Sequence, residues 1–160
     1  MAKSDRDIVA EIMRDTRIAV LTYVDPTGRL VSAPMGTQDF EDPSTVWFIT
    51  EIDTDKVRAI EAHPQVNVAY ASDKGWVSLS GTARLNRDEA KLKELWDPSV
   101  SAFMKGDAES PQNALLEING DSAQYWESPG KAALVVQMAK GLLSKDDSAA
   151  DEGDAPVVHL

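Results

Sequence analysis

The spacing of apolar positions changes repeatedly along the chain between a helical period and strict alternation, which predicts a mainly β protein with flanking helices. Apolar residues from Ser4 to Arg14 follow the helical spacing, and Ser4 with Asp7 resembles a capping box. Strands are predicted at 17–24, 29–40, 47–50, 66–70, 75–86, 114–118 and 123–126. Further helices are predicted from about 55 to 63, at 86–96, as a turn at 100–104, and at 131–143.

Most of the predicted strands are joined by turns, as antiparallel neighbours are. Pro26 and Gly28 mark the first reversal, and Asn119-Gly120 is the strongest short hairpin signal in the chain. Hairpin-connected strands with helices at the ends and two inserted indicate an α+β protein built on a closed or nearly closed antiparallel β-barrel. Pro34 lacks the N–H that a central strand needs, so it predicts an edge, a bulge or backbone facing a ligand.

The stretch from 47 to 70 places a helix start directly after a buried strand. Thr54 and Asp53 offer caps there, and Lys56 lies in the first turn. A helix N-terminus carries unpaired N–H groups and a partial positive charge, so this end could bind a phosphate. The alternative is a capped surface helix whose lysine points into water, and Asp53 and Asp55 favour it by placing negative charge at the same end.

Length, charge and cysteine content restrict the function classes. A chain of 160 residues fits one domain, here 1–143, followed by an acidic tail at 144–160 that we expect to be disordered. The absence of cysteine excludes disulfides and thiolate chemistry. The chain shows neither a signal peptide nor an apolar run of membrane-spanning length, which predicts a cytoplasmic protein without a membrane partner. The net charge of -11 disfavours nucleic acid and anionic membranes as partners.

Side chains suited to catalysis without a cofactor are scarce. Only His63 and His159 could offer imidazole, and neither has carboxylates at metal-ligand spacing, so we predict no metal site. No serine has a nucleophile-elbow motif, and the spaced glycines form neither a dinucleotide-binding nor a P-loop pattern. If the protein is an enzyme, a bound cofactor is expected to supply the chemistry. Four tryptophans could stack on a flat heterocycle, although core packing is the commoner role of tryptophan.

Several segments, in order, resemble the pyridoxamine-phosphate-oxidase-like FMN-binding split barrels, in particular their general-stress-protein branch. The segments together cover roughly residues 8–143. They read VSAPM (31–35), WFIT (47–50), DKVRAIEAHPQVNVAY (55–70), VSLSGTARL (77–85), KLKELW (91–96) and SAQYWESP (122–129).

The resemblance implies an antiparallel split β-barrel that binds FMN between the two subunits of a homodimer. Residues 33–38 would run along the isoalloxazine and ribityl chain, Ile49 and Thr50 would flank the flavin, and the helix start would lie near the phosphate. The two flavin-contacting tryptophans would come from the partner subunit. The implied cofactor-binding residues are Ser32, Ala33, Pro34, Met35, Gln38, Ile49, Thr50, Thr54, Asp55, Lys56, Trp76 and Trp126.

Three departures from the family pattern bear on function. The strand motif usually reads Ser-Arg-Pro-Met, and its phosphate-binding arginine is Ala33 here. The loop after Trp96 carries Phe-Met-Lys-Gly-Asp where a Trp-Phe-Pro-Gly-Gly run is common, and 130–136 supply only Lys131 where true oxidases grip their substrate with arginine and histidine. Loss of one charge-assisted hydrogen bond costs about 1.5–3 kcal/mol, so Ala33 predicts weakened FMN binding. The missing arginine and histidine argue against the classical oxidase reaction.

These observations predict an FMN-binding protein that acts as a flavin-dependent oxidoreductase on an unknown substrate, in a stress-related role. No residue stands out as a catalytic acid or base. The alternatives are a non-catalytic protein that stores, senses or scavenges flavin, a relative that uses deazaflavin or haem, and an interaction protein with an empty barrel.

Overall fold

The computed structural model describes residues 2–143 and 155–160. Its described part contains five helices and seven strands. The helices are α1 (Asp5–Asp15), α2 (Asp55–Ala62), α3 (Glu89–Leu95), α4 (Pro98–Phe103) and α5 (Lys131–Leu143). The strands are β1 (Ile18–Val24), β2 (Leu30–Gly36), β3 (Thr45–Glu51), β4 (Gln65–Ser72), β5 (Gly75–Asn86), β6 (Asn113–Glu127) and β7 (Val157–His159).

The strands form a single antiparallel sheet in the order β2-β1-β4-β5-β6-β3, with β7 added to the second half of β6. This confirms the predicted mainly β, α+β architecture. β2 pairs with β1 and ends the sheet order, so Pro34 lies on an edge strand, as its missing N–H requires.

Alternating burial along the strands separates two faces of the sheet. On β5, Val77 and Leu79 are buried, whereas Trp76 is half exposed. Helices α1 and α2 pack on the buried face through residues such as Ile12 and Ile60, which belong to the main core. The opposite side, which we call the outer face, exposes apolar residues. It is defined by Ile18, Val20, Pro34, Ala69, Ala71, Trp76 and Trp126.

A second, smaller core lies where α3 and α4 cover β3 and β6. Ile49 and Leu115 are directly paired across the two strands and contact this cluster. Leu92, Leu95 and Val100 contribute the helical side. Residues 113–118 of β6 are therefore buried between two cores, while the second half of the strand alternates between buried and exposed.

The predicted hairpin at Asn119-Gly120 is wrong, because β6 runs without a turn from Asn113 to Glu127. Asn119 is paired on both sides, with Thr45 of β3 and Thr82 of β5, and this double pairing holds the chain extended. Neither Asn119 nor Gly120 has the positive φ that a type I′ turn needs. The local signal instead marks a register shift opposite Gly81.

Two other boundaries differ from prediction. β5 continues through Asn86, whose side chain donates to Glu117, so α3 begins at Glu89 behind an Asp88 cap rather than at Asn86. The tail predicted to be disordered from 144 falls mainly outside the described residues, but Val157–His159 form a strand. This strand pairs with the second half of β6, which otherwise presents an unpaired edge. Val158 and Leu160 also pack against the main core.

Candidate functional site

The start of α2 holds a partly buried ammonium group that pairs with no carboxylate in the described ranges 2–143 and 155–160. Thr54 caps the helix, its hydroxyl oxygen accepting from the Val57 N–H at 3.2 Å. Lys56 follows, and its Nζ lies 3.2 Å from the sulfur of Met35 on β2. A thioether is a weak acceptor, so burial is incompletely compensated and lowers the pKa of Lys56. The Lys56 ammonium is therefore not fully solvated, and it can bind an anion.

The two acids beside this helix start are turned toward Arg58. Asp53 and Asp55 accept from its guanidinium at 2.5 and 2.7 Å, and both carboxylates are almost fully exposed. Neither forms an ion pair with Lys56 in the described chain. The negative charge that favoured the surface-helix alternative is thus held on the solvent side by another cation. Of the predicted phosphate-site residues, Thr54 and Lys56 are suitably placed, whereas the Asp55 carboxylate is engaged elsewhere.

The edge strand β2 brings the second predicted segment to this helix start. Met35 is buried and faces the core, and Ala33, two residues earlier, lies on the same side of the strand. Ser32 and Pro34 are exposed on the other side, where the Ser32 hydroxyl lies 2.8 Å from that of Thr22. Residues 33 and 35 therefore face α2, and residues 32 and 34 do not.

Gln38 lies just beyond β2, in a small cleft of about 250 Å³. The cleft is lined by Met13, Arg14, Thr37, Gln38, Asp39 and Phe40. The Thr37 hydroxyl donates to the Thr16 carbonyl at 2.6 Å and so ties the end of β2 to the end of α1. Arg14 lies over the Phe40 ring at 4.8 Å from its centroid. The sequence did not predict the Arg14 guanidinium at this cleft, because Arg14 and Phe40 are 26 positions apart in the chain and only the fold brings them together.

Ile49 and Thr50 are adjacent on β3 and therefore face opposite sides. The Ile49 side chain is buried in the second core, where it contacts other apolar residues rather than a ligand cleft. Thr50 is 3% exposed, and its hydroxyl donates to the Glu51 carbonyl at a long 3.3 Å. Of these two residues, Thr50 is the one with a polar side chain, and it is almost fully buried.

Trp76 and Trp126 are directly paired across β5 and β6 on the outer face, 50% and 44% exposed. Lys56 belongs to α2, which packs on the other face of the same sheet. Within one protomer the tryptophan pair and Lys56 are therefore on opposite sides of the sheet. One chain therefore does not bring the predicted flavin-contacting tryptophans to the Lys56 region.

The family model for proteins described as pyridoxamine 5′-phosphate oxidase like matches residues 4–148. The chain belongs to this family. The family match agrees with the sheet topology and with the order of the segments identified above. Comparison with curated protein sequences gave no match.

Solved structures with the same fold include proteins that bind different groups. A Jannaschia sp. CCS1 protein described as a general stress protein 26 is 26% identical, with a TM-score of 0.72, 97% of this chain covered and 96% of that one. A Nostoc punctiforme PCC 73102 protein, described as pyridoxamine 5′-phosphate oxidase-related and FMN binding, is 17% identical, with a TM-score of 0.65, covering 82% and 89%. A heme binding protein from Mycobacterium smegmatis is 11% identical, with a TM-score of 0.67, covering 82% and 57%. The last two likenesses establish the split-barrel fold alone.

A buried acceptor near the end of β3 was not predicted from sequence. Asn113 pairs with Glu51 and donates its amide to the carbonyls of Lys105 and Asp107, at 2.8 and 3.1 Å. Its Oδ1 is buried and accepts from no donor of the residues that the structure describes. A single asparagine in a loop-to-strand junction carries no recognisable sequence signal. In this family member it fixes the variant loop after α4 to the strand that holds β3.

Proposed function

We propose that the protein binds FMN between two subunits of a homodimer and uses it in a flavin-dependent oxidation or reduction of a small molecule. The observation that carries this proposal is the partly buried Lys56 ammonium at the start of α2, which lies beside a thioether and, among the residues that the structure describes, pairs with no carboxylate. A dianionic phosphate supplies the missing counter-charge and accepts from the helix N-terminus. The family membership makes FMN the phosphate-bearing group to test first.

Lys56 and Thr54 would hold the phosphate, and the β2 segment that includes Met35 would lie along the rest of the cofactor. Thr50 would contribute its hydroxyl from β3. FMN supplies hydride or single-electron transfer when it is bound. The residues of this chain bind and orient it, and none of the described groups is assigned as a proton donor or acceptor. A stress-related role is included because of the likeness to the Jannaschia protein.

The second subunit is part of the proposal because of the positions of the tryptophans. Trp76 and Trp126 lie on the outer face, away from α2, together with Ile18 at 57% exposure. An apolar sheet face of this kind is typical of a protein interface. A partner subunit seated on it would bring its own helix start and β2 toward these indoles, which completes a cofactor site that one protomer lacks.

Haem is supported less than FMN by the described residues. Haem iron is usually held by histidine, cysteine, methionine or tyrosine, and the chain has no cysteine. His63 and His159 are both exposed and belong to no cavity described here. Deazaflavin cofactors carry phosphate and would use the same cation, so the titration below includes one.

The test is a visible-absorbance titration of the purified protein with FMN, riboflavin and a phosphorylated deazaflavin. We expect FMN binding that riboflavin does not match, and a Lys56→Ala variant that loses at least tenfold in FMN affinity while riboflavin binding is unchanged. Lys93→Ala is the control, because Lys93 is exposed and paired with Glu109. Equal affinity for FMN and riboflavin would refute the phosphate site, and tight deazaflavin binding without FMN binding would refute the cofactor assignment.

Turnover is tested separately by anaerobic reduction of the FMN complex with NADH and NADPH, followed by reoxidation with quinones and oxygen. Reduction at a rate above that of free FMN supports the oxidoreductase. FMN binding without any acceleration would replace it with a flavin storage or sensor protein.

A further inference from the structure

The cleft between α1 and the chain that follows β2, which we call the α1 cleft, holds polar side chains that the described chain leaves unengaged. It encloses about 250 Å³ and is lined by Met13, Arg14, Thr37, Gln38, Asp39 and Phe40. Among the described residues, the side chains of Arg14, Gln38 and Asp39 take part in no hydrogen bond or ion pair. Pockets for drug-sized ligands measure about 300–1,000 Å³, so the α1 cleft is suited to a smaller molecule.

Contacts at both ends hold the walls of the α1 cleft in place. The Thr37 hydroxyl donates to the Thr16 carbonyl at 2.6 Å and joins one end of the wall to the end of α1. The Arg6 guanidinium on α1 donates to Asp42 at 2.6 Å and joins the other end. Between them, Phe40 packs against the main core. The cleft is therefore preformed, and a ligand that enters it does not have to order a loop, which lowers the cost of binding.

Arg14 is positioned for a carboxylate by its contact with Phe40. The Arg14 guanidinium carbon lies over the ring, 4.8 Å from its centroid. A guanidinium stacked on an aromatic ring uses its face, so the N–H donors in its plane stay available for a second partner. These donors form a rigid fork that matches the two oxygens of a carboxylate. The contact with Phe40 therefore fixes the cation and leaves its donors unpaired.

The charges around the α1 cleft favour a ligand with a single negative charge. Among the described residues, no carboxylate lies within ion-pair distance of Arg14. Asp7 on the same helix serves the capping box, since hydrogen bonds from Ser4 are the main cause that lowers its pKa and the Arg14 charge contributes less. Asp39 adds an exposed negative charge to the cleft. Because like charges repel, Asp39 disfavours a dianion such as a phosphate more than a monoanion.

The α1 cleft adjoins the segment that the family resemblance assigns to the cofactor. Gln38 lines the cleft and is the last residue of the segment 33–38. Met35, three residues earlier, contacts Lys56. At about 3.3 Å per residue of extended chain, Gln38 lies within roughly 10 Å of Met35 along the backbone. A molecule in the cleft would therefore lie at the end of this segment that is remote from the proposed phosphate site.

We propose that the α1 cleft binds a small planar monocarboxylate, whose carboxylate is held by the Arg14 guanidinium. A carboxylate bound by both arms of the fork lies in the plane of the guanidinium, so a ring or double bond conjugated to it continues in that plane. Met13 and Phe40 supply the apolar walls for this part of the ligand. As a binding site the cleft is independent of FMN. That the acid is the substrate of the flavin rests on the proposed function.

Benzoate is the probe for this site, and it is added to the full-length protein without FMN. Titrations are followed in proton–nitrogen correlation NMR spectra, where we expect saturable shifts of the Gln38 and Phe40 amides and of the Arg14 Nε–H. Benzamide has the same ring without the charge and should bind at least tenfold more weakly than benzoate. Shifts confined to residues outside the α1 cleft would overturn the site. Equal affinity for benzamide, or tighter binding of phenyl phosphate, would overturn the carboxylate assignment.

Two substitutions test the charges of the cleft. Arg14→Gln should weaken benzoate binding at least tenfold. Arg87→Gln is the matched control, because Arg87 is also exposed, removes the same charge and does not line the cleft. Asp39→Asn should strengthen benzoate binding about two- to fivefold by removing an exposed like charge. Equal losses from the two arginine variants, or weaker binding by Asp39→Asn, would refute an anion site at Arg14.

A purely structural role is the competing explanation for Arg14, because a cation in the last turn of α1 also offsets the helix dipole. Arg14→Lys separates the two roles, since lysine keeps the charge but lacks the planar fork. We expect this variant to unfold at the wild-type urea midpoint and to bind benzoate at least fivefold more weakly. Benzoate binding equal to that of the wild type would overturn the role of the guanidinium fork.

The visible spectrum of the FMN complex tests whether the cleft serves the flavin. Benzoate should shift the flavin absorbance of the wild-type complex with the same midpoint as the NMR titration, and Arg14→Gln should move both midpoints together. An unchanged flavin spectrum at saturating benzoate would overturn the substrate role and leave the binding site standing. Failure of the protein to bind FMN would refute the proposed function, whereas benzoate binding to the FMN-free protein would still establish the cleft.

Discussion

The Lys56 ammonium lies 3.2 Å from the Met35 sulfur, so the start of α2 and the edge strand β2 meet at a cation and a thioether. This pairing is unusual because sulfur offsets little of the cost of removing an ammonium group from water. Two segments separated by 21 residues thus form one site where the described part of the chain supplies a cation and no carboxylate paired with it. The first three predictions below follow from that imbalance.

Replacement of Lys56 by methionine should stabilise the cofactor-free protein and weaken FMN binding. An apolar side chain of similar length removes the desolvation cost of the charge and packs against Met35. We expect the free energy of unfolding to rise by about 1 kcal/mol in urea denaturation, and FMN affinity to fall at least tenfold. A destabilised variant would show that the ammonium is already compensated in the folded protein.

FMN affinity should fall with rising pH earlier than an ordinary lysine would allow. Burial lowers the pKa of Lys56 in the folded protein, so the folded state releases this proton before the unfolded state does. The stability that the neutral amine contributes is fully present above the ordinary lysine pKa and is lost as pH falls through the lowered pKa of the folded protein. FMN affinity changes in the opposite direction, because the phosphate needs the charged ammonium.

This pH dependence is measured by FMN titrations between pH 7 and 10.5. Lys56→Arg is the control, because guanidinium keeps its charge throughout that range. If the wild type and the Lys56→Arg variant lose affinity in parallel, another group is responsible.

Ala33→Arg should strengthen FMN binding about ten- to a hundredfold. Residue 33 lies on the same side of β2 as Met35 and therefore faces the Lys56 region, where a second cation would contact the phosphate. Ser32→Arg is a matched control one residue away, because Ser32 faces the other side and is bonded to Thr22. Riboflavin should not distinguish the three proteins. Equal gains from both arginines would indicate a general effect of charge rather than a phosphate contact.

Val158→Asp should destabilise the protein by about 1–3 kcal/mol. Val158 pairs with Ala123 and packs against the main core, so an unpaired carboxylate there would be desolvated. His159→Asp places the same charge on the neighbouring residue, which is exposed. The two variants are compared by the urea concentration at the midpoint of unfolding. Similar midpoints for both would show that β7 contributes little to stability.

Gly81→Ala should destabilise the protein by about 1–3 kcal/mol or more through overpacking. A Cβ at position 81 would lie 2.2 Å from the Asn119 carbonyl oxygen, and its nearest neighbours are all backbone atoms of β6, which cannot turn away as a flexible side chain can. Gly36→Ala is the control, since its Cβ would meet no atom within 4 Å. If Gly81→Ala unfolds at the wild-type midpoint in thermal denaturation, the register of β5 on β6 can shift.

Local sequence signals predicted the elements correctly where local physics determines them. The Ser4 capping box and the Thr54 cap are formed as predicted, because each depends on residues within one helical turn. Asn119-Gly120 failed for the opposite reason. Its turn propensity was overridden by ladders to two different strands, and those pairings join residues far apart in the chain.

The site was predictable in part. The helix start with Lys56 and the β2 segment could each be identified from the sequence. The contact between Lys56 and Met35, the turning of Asp53 and Asp55 toward Arg58, and the burial of Ile49 in the second core depend on packing between elements. Alternation along a strand predicts that neighbouring residues face opposite sides, but not which side meets a helix.

The long strand β6 also determines when the site can form during synthesis. β3 is joined to the sheet by Asn113–Asn119, whereas β1, β2, β4 and β5 are complete by residue 86. At about 5–20 residues per second, a ribosome needs roughly 3–14 s to move from the end of β3 to Asn119. The nascent chain can therefore form the four-stranded half with α2 first. β3 stays unpaired, with its apolar residues accessible to chaperones, until Asn113–Asn119 of β6 have been synthesised.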